Sequence, residues 1–302
     1  MDADLDRYDA PPAGRRSRNG VSYPNVAVAK VRGYRPLHLD LRVPAGDRPV
    51  PLVIWVHGGA WWAGSRVALP EPIAAAGFHR RLLRRGYAVA GVDYRLSREA
   101  SFPAPLNDVK AAIRWLRAYA GELGLDPGRF AAWGESAGGH LAALAGLTGE
   151  PTTLPALEGD IGVVGVSSAV AAVVDWYGPA DLLNGWDDLT GPVLERPDEW
   201  LLGGSLRERL PEAIAASPVG HAHPGAPPFR LVHGTADTVV PYRQSELLAG
   251  ALRGQGIRCD LVPVPGAGHV FVGAEEQIGA IVESGVDFLD EVFSRSSTAP
   301  RG

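Results

Sequence analysis

Six predominantly apolar runs of strand length recur through this chain, and helical patterns fill the intervals between them. The runs are Val53 to Val56, Tyr87 to Val92, Phe130 to Trp133, Val170 to Tyr177, Phe229 to Val232 and Leu261 to Val264. A strand apolar on both sides must be covered on both faces, which is the condition of a parallel sheet. Leu106 to Tyr119 is the clearest helix. It sets Val109, Ile113 and Leu116 on one face and Lys110, Arg114 and Arg117 on another. Strand alternating with helix predicts an α/β chain, a mostly parallel central sheet with helices on both faces and functional groups at the strands' carboxyl ends. Upstream, Val26 to Val31 and Leu37 to Val43 alternate apolar with polar or small residues, as half-exposed antiparallel edge strands do.

One strand-to-helix junction carries a nucleophile. Gly134-Glu135-Ser136-Ala137-Gly138-Gly139 lies between the run ending at Trp133 and a small-residue helical pattern through Leu147. Ser136 falls on the corner, and glycine two positions to either side lets strand and helix approach without a Cβ clash. A serine hydroxyl is too weakly acidic to attack a carbonyl unaided, so the reading requires a base, an orienting acid and an oxyanion site. Asp237 follows the run ending in His233-Gly234, and His269 follows the glycine-rich turn Pro265-Gly266-Ala267-Gly268. His269 is the expected base and Asp237 the acid that fixes its tautomer. Upstream, Leu52 to Val56 runs into His57-Gly58-Gly59-Ala60-Trp61-Trp62, where the amides of Gly59 and Ala60, joined by that of Ala137, are the expected oxyanion donors.

Together these motifs resemble the α/β-hydrolases of the carboxylesterase and hormone-sensitive-lipase-like group, closest to bacterial esterases with an H-G-G-x-W oxyanion motif. Asp93-Tyr94-Arg95-Leu96, Asp126-Pro127 and the His140 that follows Gly139 extend the resemblance, which spans about Val26 to Phe293. The order serine, aspartate, histidine is that of this fold. One departure is Ala60, where many relatives have a third glycine. The resemblance implies a serine hydrolase acting on a small carboxylic ester through an acyl-enzyme, with no cofactor and no metal. An arylformamidase of N-formylkynurenine type is the alternative enzyme, because those relatives share the oxyanion loop. A catalytically silent ligand receptor on the same fold is the alternative outside enzymes. Trp61 and Trp62, beside the oxyanion loop, and Trp176, at a strand end, are the expected substrate-binding walls. Two adjacent tryptophans would crowd the acyl path and favour short acyl groups.

The remaining sequence bounds the setting. Net charge is −5, which argues against a nucleic-acid footprint, and the basic runs Arg15 to Arg18 and His79 to Arg81 read as solvated surface. Cys259 is the sole cysteine, so no internal disulfide can form. No apolar stretch approaches the length of a membrane span, and Met1 to Asp6 lack a signal-like pattern, so a cytoplasmic enzyme without membrane partners is expected. His221 and His223 have metal-compatible spacing but no completing ligands nearby, His57 is expected to brace the oxyanion loop, and His140 and His233 are expected as packed histidines. The expected organisation is a flexible leader over 1–22, one hydrolase domain over 23–295 with a cap-like insertion at about 181–227 that includes Trp186 and Trp200, and a tail over 296–302. Oligomeric state is not legible.

Overall fold

The computed structural model describes residues 7–149, 154–184 and 197–296. Nine strands among them form one sheet: β1 (Arg15–Ser17), β2 (Gly20–Ala29), β3 (Leu37–Pro44), β4 (Val50–Val56), β5 (Ala88–Val92), β6 (Leu125–Glu135), β7 (Ala172–Trp176), β8 (Phe229–Gly234) and β9 (Cys259–Val264). Their spatial order is β1-β2-β3-β5-β4-β6-β7-β8-β9. The first three are antiparallel to their neighbours, and every pair from β5 to β9 is parallel.

The helices in chain order are α1 (Glu71–Ala75), α2 (Phe78–Arg84), α3 (Ala104–Ala118), α4 (Ala120–Leu123), α5 (Ala137–Leu147), α6 (Pro155–Glu158), α7 (Pro197–Leu202), α8 (Leu210–Ala215), α9 (Arg243–Gly254) and α10 (Ile278–Ser296). Helices α3, α5 and α9 cover one face of the sheet, and α1, α2 and α10 the other. This double cover explains the unbroken apolar runs. In β4, Leu52, Ile54 and Val56 enter the core beneath α3 and α5, while Val53 and Trp55 enter the core beneath α2 and α10. The two-residue period is present, but both of its phases are buried.

One expectation changes here. Within the stretch expected as a loose leader, Arg15–Ser17 pairs with Gly20–Ser22, because Gly20 adopts φ +132° and closes a tight turn. Between β7 and β8, the segment expected as a cap holds α7, α8 and a 3₁₀ turn at Pro218–His221. Trp186 lies outside the described residues. The described part of the insertion packs on α5 and on the loop after β4: His140 bonds the Ala216 carbonyl at 2.6 Å, and the Trp200 ring lies 4.6 Å from that of Trp62.

Candidate active site

Ser136 stands at the end of β6 with φ +53° and ψ −123°, outside the regions open to most side chains. Its surroundings hold it there. Its N–H donates to the Trp176 carbonyl at 2.8 Å, and its own carbonyl accepts from His140 N at 3.1 Å. A Cβ on Gly134 would lie 2.1 Å from the Gly138 carbonyl oxygen, and one on Gly138 would lie 2.0 Å from that of Val56. Both glycines are therefore demanded by contact between strand and helix.

His269 and Asp237, the expected base and acid, arrive from the ends of β9 and β8. His269 Nε2 lies 3.0 Å from Ser136 Oγ, and His269 Nδ1 lies 2.7 Å from Asp237 Oδ2. The carboxylate can only accept, so Nδ1 carries the ring proton and Nε2 faces the serine with its lone pair. Asp237 Oδ1 also accepts the N–H groups of Val239 at 2.8 Å and Val240 at 2.9 Å. Burial alone would raise the Asp237 pKa, but the neighbouring His233 and His269, with the Val240 amide, hold it well below the usual carboxylate range. His233 is itself buried, bonded to Ser245 Oγ and the Val240 carbonyl, with Nε2 3.4 Å from Asp237. Its place is structural, as expected.

Three consecutive left-handed residues, Gly59 (φ +103°), Ala60 (φ +53°) and Trp61 (φ +56°), shape the loop after β4. The N–H groups of Gly59, Ala60 and Ala137 meet no acceptor among the described residues. Several side chains brace the loop from below. His57 Nδ1 bonds the Gly58 carbonyl at 2.8 Å and stacks on Tyr94, whose hydroxyl donates to the His57 carbonyl at 3.0 Å. Burial pushes the His57 pKa down to about 4, so the ring is neutral and serves as a brace.

Glu135 is the residue that sequence reasoning missed. Its Oε1 accepts the Gly58 N–H at 2.7 Å, tying the end of β6 to the loop after β4. A Cβ on Gly58 would fall 2.2 Å from that oxygen. Burial raises the Glu135 pKa, opposed by the proximity of His269 and by the Gly58 bond. The available signal was its position between Gly134 and Ser136.

Ser136, Glu135 and His269 open on a pocket of about 440 Å³, with Gly59 and Ala60 on one wall, Ala68, Leu69 and Pro70 beside them, and Val239 and Val270 opposite. None of the three expected aromatic walls lines it. Trp61 is 3 % exposed and directed into the core, donating its indole N–H to His140 Nδ1 at 3.1 Å, because the left-handed turn swings its ring inward. Trp176 is fully buried on the opposite face of the sheet among Trp55, Phe78, Trp133 and Phe271. Trp62 is 39 % exposed, leaning on Trp200 with Arg98 over its ring, and is not part of this pocket's wall. The described residues of the insertion do not line it either. No cluster of three or more metal-ligating side chains occurs among the described residues, and none of their helices is long and apolar enough to cross a membrane.

The BD-FAE family model matches residues 39–252, more than half of the chain, from β3 through α9. The chain belongs to the BD-FAE family. Among curated proteins it is 32% identical over 263 residues to the esterase LipQ of Mycobacterium tuberculosis, covering 85% of this chain and 59% of that one. It is 35% identical over 229 residues to the esterase LipC of the same organism, covering 74% and 54%. The chain thus spans little more than half the length of these relatives. Among solved structures, a truncated carbohydrate esterase from gut microbiota superposes with a TM-score of 0.77 at 30% identity, covering 92% of this chain and 99% of that one. Thermogutta terrifontis esterase 2 phosphonylated by sarin superposes at 0.70 and 30% identity, covering 94% and 96%. The BD-FAE chain therefore has the α/β-hydrolase fold that the sequence predicted.

Proposed function

We propose that this protein is a serine carboxylic ester hydrolase working through an acyl-enzyme, with Ser136 as nucleophile, His269 as general base and acid, and Asp237 as the anion that orients it. The observation that carries the reading is the bonded chain Ser136–His269–Asp237 at a pocket whose loop also presents unpaired amides. Ser136 Oγ attacks the ester carbonyl as its proton passes to His269 Nε2. The resulting oxyanion is received by the amides of Gly59, Ala60 and Ala137, each such donor being worth roughly 2.7 to 4 kcal/mol in the transition state. His269 returns the proton to the leaving alkoxide. Water then enters by the same route and releases the acid. The names of the relatives support esters as the substrate class.

Short acyl groups are the preferred substrates, now for a different reason: the walls are the Leu69 and Pro70 segment and the Val239 and Val270 side chains, with the tryptophans playing no part. Hydrolysis of p-nitrophenyl acetate, butyrate and decanoate by the wild type and by Ser136→Ala tests the proposal. The wild type is expected to favour acetate and butyrate, and the variant to lose several orders of magnitude in kcat. Retention of a tenth of wild-type activity by a clean Ser136→Ala preparation would remove the nucleophile assignment.

A further inference from the structure

The basic run His79 to Arg81 takes no part in the site above, and its His79 and Arg80 line a separate cleft. That cleft, of about 730 Å³, is larger than the pocket at Ser136, and Asn19, Arg42, His79, Arg80 and Arg84 line it with no carboxylate among the lining residues. Asn19 sits at the turn joining β1 to β2, which places Arg18 next to it in the chain. The protein as a whole is acidic, with a net charge of −5, so a wall of this sign is a local arrangement.

The basic residues of α2 and its end divide into two groups. Arg81 and Arg85 are matched by Glu283, Asp287 and Asp290 of α10. Arg80 and Arg84, one helical turn apart, have no ion pair or hydrogen bond among the described residues. Arg42 reaches His79 Nδ1 at 3.2 Å from the neighbouring strand. A guanidinium can only donate, so Nδ1 accepts and the ring proton sits on Nε2. That Nε2 is buried without a partner, a state that calls for an explanation. Burial and Arg42 keep the imidazole neutral, so the positive charge of this wall comes from the arginines. Guanidinium groups facing one cleft repel one another until an anion enters, and their planar forks match the oxygens of a tetrahedral oxyanion.

We propose that this cleft is a binding site for a compact, multiply charged anion of phosphate type, held by Arg42, Arg80 and Arg84. Leu69 is a wall of both this cleft and the pocket at Ser136. The anion therefore has two possible sources, a free ligand or the phosphate-bearing tail of an ester whose carbonyl lies at Ser136.

The test is calorimetric titration of inorganic pyrophosphate into Ser136→Ala protein at fixed ionic strength, which keeps it independent of any hydrolytic activity. Saturable one-to-one binding is expected, weakened about tenfold by Arg42→Ala and about tenfold again by Arg84→Ala, the scale of a lost charge-assisted bond. Both arginines are exposed, and the variants' unchanged thermal unfolding without pyrophosphate would show that the fold is retained. Absence of binding, or binding undiminished in the double variant, overturns the proposal. The source follows from kinetics on active protein. If Arg84→Ala raises KM for a phosphate-bearing ester but not for p-nitrophenyl acetate, the anion belongs to the substrate; if it raises neither, the anion is a separate ligand.

Discussion

Strands β7 and β8 lie side by side, and a buried aspartate stands at or just beyond the end of each, yet the two carboxyls are held in opposite states. Asp175, near the end of β7, is completely enclosed and accepts one N–H, from Gly178 at 2.9 Å. Burial pushes its pKa up to about 7. Asp237, past the end of β8, is nearly as enclosed but accepts from Val239, Val240 and His269, with His233 adjacent, and remains an anion far into the acid range. Burial is common to both. The number of donors aimed at the oxygens decides the charge. In the proposed mechanism His269 becomes positive and requires an anion behind it, and two amides of the loop after β8 fold back to hold Asp237 in that state.

The largest effect expected from this contrast is catalytic. Asp237→Asn should lower kcat/KM by about 10⁴-fold through loss of the productive His269 tautomer, with thermal unfolding little changed. Asp175→Asn should cost less than about tenfold, since Asp175 bonds neither the serine nor the histidine. Equal losses in steady-state hydrolysis would break the comparison.

Stability against pH should separate the same two residues by sign. Asp175 has a folded pKa above its unfolded value, so its favourable contribution is complete below about pH 4 and is lost as pH rises through about 7, a change on the order of 4 kcal/mol. The stability of Asp175→Asn relative to wild type should therefore climb between pH 4 and 7 and then level off. Asp237 is depressed, so its contribution is complete above about pH 4 and disappears as the pH falls towards its folded value. Urea unfolding across this range measures both; parallel pH profiles for the two variants would contradict the donor argument.

Glu135 is the intermediate case, a buried carboxyl with one amide donor that nevertheless borders the reacting serine. Glu135→Gln keeps an acceptor for Gly58 and should cost less than about tenfold in kcat, whereas Gly58→Ala, which drives a Cβ into the carboxyl, should cost about 10² or more by displacing the oxyanion loop. Circular dichroism and kinetics on both variants check this order. The smallest effect concerns chain length. Leu69→Ala should improve decanoate relative to acetate a few-fold, and Trp61→Phe should leave that ratio unchanged because its ring lies in the core.

What could be seen in the sequence, and what could not, follows the same physics. Ser136 was legible because the close approaches at Gly134 and Gly138 leave glycine as a visible trace, and the apolar runs were legible because both faces of the parallel strands are buried. Side-chain direction left no such trace. Trp61 turns inward on a left-handed backbone that no residue type at Ala60 or Trp61 announces, and Trp176 falls on the far face by one step of strand alternation. The bond between Glu135 and Gly58 spans 77 positions and depends on two parallel strands lying in register. Asp175 and Asp237 both follow apolar runs, and only the folded loops reveal how many amides each receives.

The most direct test of the central claim, that Ser136 is the nucleophile activated through His269 and Asp237, is intact and peptide mass analysis after treatment with a fluorophosphonate. One covalent adduct is predicted, on the peptide bearing Ser136, absent from Ser136→Ala and formed far more slowly by His269→Ala and Asp237→Asn. A stoichiometric adduct elsewhere, or labelling of Ser136 at an unchanged rate in those last two variants, would contradict it.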